Sequence, residues 1–492
     1  MPKLSAIDLA FFLLETDARP MNVGSLTVLA VPVGMQRNFA NTILKGMLKR
    51  PVGPPFNFRL ARGPLAFLPQ LELDESIDPA KQVHRVRLKR GAGLRELFDK
   101  VCELHVQRLP RDEPLWQMYL FEGLERGRIA IYFKTHHGII DGIGFIKAWT
   151  GTVTTSSRQR RPRAVWEGIP GATETRRRDK ALPEMMADAL GDMRGAARTA
   201  NDFARLILQE VMRGAGLGRG LALPFLLTPA AFKARPSSSR TLGHCVLPLP
   251  HLRQLGDTHG VTVNDILLTV LDIAMRGYLE ARGEAPDKPL VADMPVALSK
   301  AGSTGNQITI LQVPLGGAAD RPADRLAAIV RETHAVKEQV HALSGESLMA
   351  YTILVHAAAS AIESLHLSQL PMLANAVISN AYGLAERRYF MGAEVELALP
   401  VSVVAHHQTL NITATTYVDE LHVTFIAVRE ALPDIQELAD GAVKALAELE
   451  ADLARSHRRS GRPGAKRRSS RAGAPVDLPA SLNKPAKRPA KP

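Results

Sequence analysis

The sequence predicts an α/β protein with two domains. Helical and strand patterns alternate from residue 4 to about residue 150, which is typical of α/β folds, and a second such region follows residue 241. The chain has 492 residues, which is long for a single hydrophobic core. We therefore expect an N-terminal domain over 1–155, a helical and basic crossover linker over 156–240, a C-terminal domain over 241–455 and a disordered basic tail over 456–492.

The first domain is predicted from capping residues and apolar runs. Ser5 can cap an apolar helix, and Asp141 can cap a short helix that carries Phe145 and Trp149. The β-rich runs predict strands at 21–31, 83–88 and 128–134.

In the second domain, strands are predicted at 246–249, 290–296, 308–315 and 418–428, and helices at 252–259 and from 263 onward. The apolar stretch 348–362 is too short to span a bilayer and contains His356, so we expect a buried helix. Helical spacing of apolar residues also runs through 184–212 in the linker. The glycine run 214–220 follows a helix and lacks the lysine of a phosphate loop, so it is interpreted as a flexible joint.

The positive charge belongs to the tail. The net charge is +13, but residues 455–492 contain twelve Lys or Arg and one acid, a net of +11, so the other 454 residues carry 13 − 11 = +2. We therefore expect no specific nucleic-acid partner, although the tail could meet anionic lipid headgroups.

Cys102 and Cys245 fit a reducing cytosol, and no signal peptide is recognised. The expected location is cytoplasmic, with peripheral contact at the inner membrane or lipid inclusions as an option.

The chemistry is expected at 136–142, His-His-Gly-Ile-Ile-Asp-Gly. Two histidines leave the end of a predicted strand, where a base with a pKa near neutrality can take a proton from an attacking hydroxyl, amine or thiol. Neither a Gly-x-Ser-x-Gly motif nor a neighbouring cysteine provides a nucleophile, which favours direct acyl transfer. Asp141 could orient an imidazole, but a loop-shaping role is favoured because a helix start already offers amide partners. Gly138 and Gly142 would permit tight backbone geometry. A metal site would need a further ligand, so no metal is expected.

Several segments, in order, resemble the bacterial wax ester synthase/diacylglycerol acyltransferase family, part of the superfamily of CoA-dependent acyltransferases. They are the 136–142 motif, Leu4-Ser5-x-x-Asp8, Met21-Asn22-Val23-Gly24, Pro114-Leu115-Trp116, Asn264-Asp265, Gly305-Asn306-Gln307 and Ser379-Asn380-Ala381-Tyr382-Gly383. The resemblance covers about residues 1–450. It departs from the family at Leu384, where a proline is usual, at Lys300, where an arginine is usual, and in 228–232, which lacks an asparagine.

The resemblance implies two chloramphenicol-acetyltransferase-like domains with mixed sheets, and an active site between them. It implies that His137 is the general base, that His136 supports it, and that Asn264 positions or polarises the thioester carbonyl. The substrates would be a long-chain acyl-CoA and either diacylglycerol or a fatty alcohol, giving triacylglycerol or wax ester plus CoA. Acyl-CoA would be a substrate, no cofactor is expected, and no cofactor-binding residue is identified.

Two other functions are retained. A condensation-domain-like acyltransferase would take its donor from a carrier protein, but the chain has no carrier module. A non-catalytic lipid-droplet-binding protein would use the linker and the tail but would leave the His-His motif unexplained. A second pair, His406-His407, lacks the Asp-Gly that follows the first, so it is interpreted as a surface or packing pair. Acyl chain length, acceptor preference and oligomeric state are not predicted.

Overall fold

The computed structural model describes residues 4–36, 38–61, 69–169, 171–172, 231–297, 308–316, 321–343, 345–365 and 372–460. The predicted linker helix 184–212, the glycine run 214–220 and the segment 305–307 lie outside the described residues.

In the first half, the described helices are α1 (Ala6–Leu14), α2 (Phe39–Met47), α3 (Leu94–His105) and α4 (Gly142–Thr150). The strands are β1 (Asn22–Ala30), β2 (Phe58–Leu60), β3 (Leu71–Leu73), β4 (Val83–Ala92), β5 (Trp116–Leu124) and β6 (Ile129–His136). Short 3₁₀ turns lie at Pro79–Lys81, Glu125–Gly127 and Val165–Glu167. The caps at Ser5 and Asp141 are formed as predicted, and the predicted strands are present.

In the second half, the described helices are α5 (Leu249–His259), α6 (Val263–Glu280), α7 (Pro322–Ala342), α8 (Gly345–Ser364) and α9 (Ile435–Ser460). The strands are β7 (Arg240–Pro248), β8 (Val291–Ala297), β9 (Ile308–Pro314), β10 (Ala376–Leu384), β11 (Tyr389–Phe390), β12 (Ala393–Val401), β13 (Leu410–Tyr417) and β14 (Glu420–Val428). Helix α9 continues to Ser460, so the predicted tail boundary at 456 is wrong by about one helical turn.

Two six-stranded mixed sheets organise these elements. The first has the order β11-β12-β1-β6-β5-β4, in which β4 and β5 are parallel and the other pairs are antiparallel. The second has the order β7-β14-β13-β10-β8-β9, in which β10 runs parallel to both β13 and β8. The predicted α/β class with mixed sheets is therefore confirmed.

The first sheet contains strands from both sides of the predicted domain boundary. Strand β12, from the second half, pairs antiparallel with β1 of the first half, with Gly24 opposite Val401 and Ala30 opposite Glu394. The first sheet therefore includes residues 389–401, a pairing between distant segments that no local pattern reveals.

The two halves also share a core. One buried cluster joins residues of β1, β6 and α3 to Leu242 of β7 and to Ile426 and Val428 of β14. The largest cluster lies within the second half, where α6 and α9 cover the second sheet. This shared packing holds the end of β6 close to the second half.

Helix α8, predicted to be buried over 348–362, is buried on one side only. Leu348, Tyr351, Val355 and Ala359 are buried, whereas Leu354 is 58% exposed. Among the described residues, no helix combines the length and apolarity needed to cross a bilayer.

Candidate functional site

The histidine motif begins at the end of a fully buried strand. All eight residues of β6 are buried, and the strand is paired with β1 on one side and β5 on the other. The His136 amide donates to the carbonyl of Leu115 over 3.0 Å, and the His137 amide donates to the carbonyl of Met21 over 2.8 Å. The segments around Leu115 and Met21 thus fix the backbone from which both imidazoles project.

His136 makes a hydrogen bond through one ring nitrogen, and its other ring nitrogen faces a carboxylate beyond hydrogen-bond distance. Its Nδ1 accepts from the Gly138 amide over 3.0 Å, and its Nε2 lies 3.6 Å from Oε1 of Glu15. The ring is 1% exposed and stacks on Phe12 with ring centres 4.1 Å apart. Burial lowers the pKa of His136, although the Glu15 carboxylate opposes this shift. This histidine is arranged to shape the loop.

Glu15 carries a buried negative charge beside the motif. It accepts from the Met21 amide over 3.1 Å, from Arg111 over 2.6 Å and from Arg108 over 3.2 Å. Burial alone would raise its pKa, but His136, the Met21 amide and Arg111 outweigh burial and lower the pKa to about 2. The side chain is therefore a carboxylate at any pH at which the protein is studied.

His137 is less constrained. Its ring is half-buried and stacks on Phe11 with ring centres 3.9 Å apart. Within the described part of the chain, its Nδ1 is buried and has no hydrogen-bond partner. Burial lowers its pKa to about 4, although the residue's own backbone and Asp8 act in the opposite direction. The ring is therefore neutral at pH 7 and able to accept a proton.

Asp141 begins helix α4. Its carboxylate accepts from the Gly144 amide over 2.5 Å, and its backbone carbonyl accepts from the Phe145 amide over 2.8 Å. Because these bonds satisfy amides of the first helical turn, they stabilise the end of the motif loop.

The two glycines of the motif have different surroundings, and only Gly138 lies in a tight place. Neither adopts the left-handed backbone conformation. At Gly138 the reason for glycine is packing, because an added Cβ would lie 2.5 Å from the Phe12 ring and 2.9 Å from the Asp8 carbonyl oxygen. At Gly142 a Cβ would meet no atom within 4 Å.

Asn264 lies half-buried in the first turn of α6, which Thr262 and Asp265 cap reciprocally. Among the described residues, no hydrogen bond or ring contact joins Asn264 to either motif histidine. The structure thus brings His136 and His137 together with Asp141, and no described contact connects Asn264 to them.

The sequence interpretation missed the residues that hold the two rings. Phe11, Phe12 and Glu15 come from α1 and its end, whereas Arg108 and Arg111 come from the segment before β5. The adjacent phenylalanines indicated only a buried helix. Glu15 follows this apolar run directly, and an acid in that position was the one indication in the sequence of a buried charge.

Two further predictions concern residues near the site. Trp116 is fully buried and donates to the Phe56 carbonyl over 2.9 Å, in agreement with a structural role. His406 is 5% exposed, so it is not a surface residue, and His407 is half-buried. Throughout the described ranges, no three His, Cys, Asp or Glu side chains come together as a metal site requires.

Comparisons with known proteins identify the family. Residues 4–267 match the family described as the wax ester synthase/diacylglycerol acyltransferase catalytic domain, and residues 304–450 match the C-terminal domain of the same family. A Mycobacterium tuberculosis protein whose name assigns it provisionally to the diacylglycerol O-acyltransferases is 30% identical over 459 residues, which cover 91% of this chain and 99% of that one.

Solved structures agree on the fold. The wax ester synthase/diacylglycerol acyltransferase of Marinobacter aquaeolei is similar with a TM-score of 0.68 and 24% identity, covering 92% of this chain and 100% of that one. The first condensation domain of the calcium-dependent antibiotic synthetase is similar with a TM-score of 0.52 and 17% identity, covering 92% and 96%. Because the matched family regions span most of the chain, including the histidine motif, this protein belongs to the wax ester synthase/diacylglycerol acyltransferase family.

Proposed function

We propose that this protein transfers a long-chain acyl group from acyl-CoA to the hydroxyl of diacylglycerol or a fatty alcohol. Family membership supports the reaction class. The observation that carries the assignment to this site is the environment of His137. Its pKa is lowered to about 4, so the ring is neutral at pH 7, and it is half-buried at the end of β6 without the Gly138 amide and the Glu15 carboxylate that face the two ring nitrogens of His136.

In the proposed reaction, His137 accepts the hydroxyl proton while the hydroxyl oxygen attacks the thioester carbon. The tetrahedral oxyanion then collapses, the carbon–sulfur bond breaks, and the proton held by His137 passes to the CoA sulfur. The products are an ester and free CoA. General-base assistance of this kind contributes about 10²–10⁴ in rate.

We propose supporting roles for three other residues. His136 and Asp141 hold the loop, as their bonds to the Gly138 and Gly144 amides support. Asn264 would donate its amide N–H to the oxyanion, and its place in the first turn of α6 adds the positive end of a helix dipole.

The test is acyl transfer by the purified protein. Palmitoyl-CoA is offered with hexadecanol or dioleoylglycerol, and ester and free CoA are measured. His137→Ala is expected to lower kcat by about 100-fold or more, because the base is lost. His84→Ala is the matched control, because His84 is a half-buried histidine that stacks on Tyr119 of the same sheet.

Absence of CoA release by the wild-type protein with both acceptors would refute the reaction. Full activity of a folded His137→Ala variant would refute the base.

We also propose that the protein works at the surface of a membrane or lipid inclusion. Both acceptors are water-insoluble, the segment 455–492 carries a net charge of +11, and Leu13, Leu354 and Leu365 are more than half exposed. Vesicle flotation tests this location.

A further inference from the structure

A second group of buried polar side chains lies where the two halves meet. Arg19, from the turn after α1, pairs with Glu363 at the end of α8 through three contacts of 2.8–3.2 Å. The Glu363 carboxylate also accepts from the His407 amide over 2.7 Å. These bonds connect the turn before β1 to the loop between β12 and β13.

A fully buried carboxylate supports the same loop. Both oxygens of Asp293, on β8, accept amide N–H groups over 2.5 Å, one from Gln312 and the other from Gln408. His356 of α8 lies 3.6 Å from the same carboxylate. Gln408 is therefore held against a carboxylate that Gln312 also binds.

Several polar atoms of this cluster have no partner among the described residues. They include Nη1 of Arg19, Nε2 of His406 and Oε1 of Gln408, whose side chains are 2%, 5% and 0% exposed, and also Nε2 of His356. A buried polar atom without a hydrogen bond is costly and uncommon in native proteins. His406 interacts electrostatically with Arg19, His356 and Glu363, so these orphaned groups share one region.

The backbone connects the cluster to the histidine motif over a short span. Met21, whose carbonyl receives the His137 amide, is two residues from Arg19, and two residues span at most about 7 Å. The reacting hydroxyl and the thioester would both lie near His137, so neighbouring polar groups of either substrate come within reach of the cluster.

We propose that Arg19, His406 and Gln408 form a subsite for an uncharged carbonyl group of a substrate. Arg19, through Nη1, and His406, through Nε2, each offer an N–H donor to the carbonyl oxygen, and Gln408 offers an acceptor to an accompanying N–H, O–H or bridging water. The carboxylates of Asp293 and Glu363 offset the positive charge of Arg19, so a phosphate is disfavoured and a neutral amide or ester fits. This inference rests on the proposed function and extends it to substrate recognition.

Two substrate groups have this chemistry, namely the glyceride esters of diacylglycerol and the pantetheine amides of acyl-CoA. His406→Leu separates them, because the His406 ring makes no hydrogen bond among the described residues and its loss breaks none. For a glyceride ester, KM for dioleoylglycerol should rise about tenfold while KM for hexadecanol is unchanged. For a pantetheine amide, KM for palmitoyl-CoA should rise about tenfold with both acceptors.

Two further variants complete the design. His406→Phe keeps an aromatic ring without nitrogen and replaces His406→Leu if that variant does not fold. His406→Gln restores a polar side chain and should recover much of the lost affinity. Thr424→Val is the matched control, because Thr424 also has a buried unpartnered oxygen but lies outside the cluster, on β14.

Unchanged KM values for both substrates in His406→Leu or His406→Phe would overturn the subsite and assign the space to ordered water. A loss confined to kcat would overturn it as well. If the wild-type protein turns over neither acceptor, the proposed function itself fails, which is a different result from an active protein with unchanged KM values.

Discussion

At the residue scale, the two adjacent histidines differ because their partners differ. His136 has a donor on one nitrogen and a carboxylate near the other, whereas His137 has an aromatic ring against its face and no hydrogen bond to its buried Nδ1 among the described residues. Nε2 of His136 makes no hydrogen bond but is buried against the Glu15 carboxylate, so this ring is poorly placed to take a proton from a substrate. The local environment therefore favours His137, in agreement with what the family resemblance implies.

The proposed role of His137 as the base predicts how catalysis depends on pH. A base acts only when it is unprotonated, and burial lowers this pKa to about 4. We expect kcat/KM for palmitoyl-CoA to stay nearly constant as the pH falls from 8 to about 5, and to decline only below that, because this ratio reports the free enzyme. Ester formation measured by mass spectrometry gives the profile. A half-maximal value near pH 6.5, as for an exposed histidine, would contradict the assignment.

The residues of the motif could be predicted from the sequence, but their partners could not. His136, His137 and Asp141 lie within six positions of each other, and the cap at Asp141 follows from a local rule. Glu15, Arg108 and Arg111 reach the site only through the sheet, since the segments before β1 and β5 meet at the end of β6. No periodicity in one sequence encodes that meeting.

At the element scale, helix α1 covers the motif. Two consecutive phenylalanines of α1 stack on the two consecutive histidines, and Gly138 lets Phe12 and the Asp8 carbonyl approach the loop. The position of α1 therefore determines the orientation of the His136 and His137 rings.

The two motif glycines test this packing. Gly138→Ala should lower Tm by several degrees and reduce kcat, because its Cβ would lie 2.5 Å from the Phe12 ring. Gly142→Ala is the matched control and should leave Tm unchanged or slightly higher, because its Cβ meets no atom within 4 Å and alanine favours a helix. Thermal unfolding followed by circular dichroism gives both values. Equal losses of Tm in the two variants would contradict the packing argument.

The elements that the sequence interpretation placed are present because each one carries its own pattern, whereas helices α2, α3, α7 and α9 and strands β5, β10, β12 and β13 were not predicted. The strands at 22–30 and 129–136 and the helix from 263 have the periodicity and caps that local rules recognise. The position of β12 in the first sheet depends on pairing between distant segments, which those rules do not address.

At the scale of the whole molecule, most of the net positive charge lies at the C-terminal end of the chain and little of it lies in the remainder. Residues 455–492 carry a net of +11 and the rest of the chain +2, so attraction to anionic lipid is concentrated at one end of the chain.

Vesicle flotation measures this attraction. The full chain should float with vesicles that contain phosphatidylglycerol, and a variant ending at Ser460, which lacks nine Lys or Arg and one Asp, should float less. Each basic residue near an anionic surface contributes about 1 kcal/mol, so added salt should reduce the difference between the two proteins. Equal flotation of both proteins at low salt would show that the tail does not bind lipid.

The pairing of β12 with β1 also constrains how the protein is made. Strand β1 leaves the ribosome early, but its neighbour β12 is synthesised only in the last quarter of the chain. Until then the first sheet has an open edge at β1, and such edges pair readily with other chains. Completion of the first sheet must therefore wait until nearly the whole polypeptide has been translated, which makes the nascent chain a client for chaperones that shield unpaired strands.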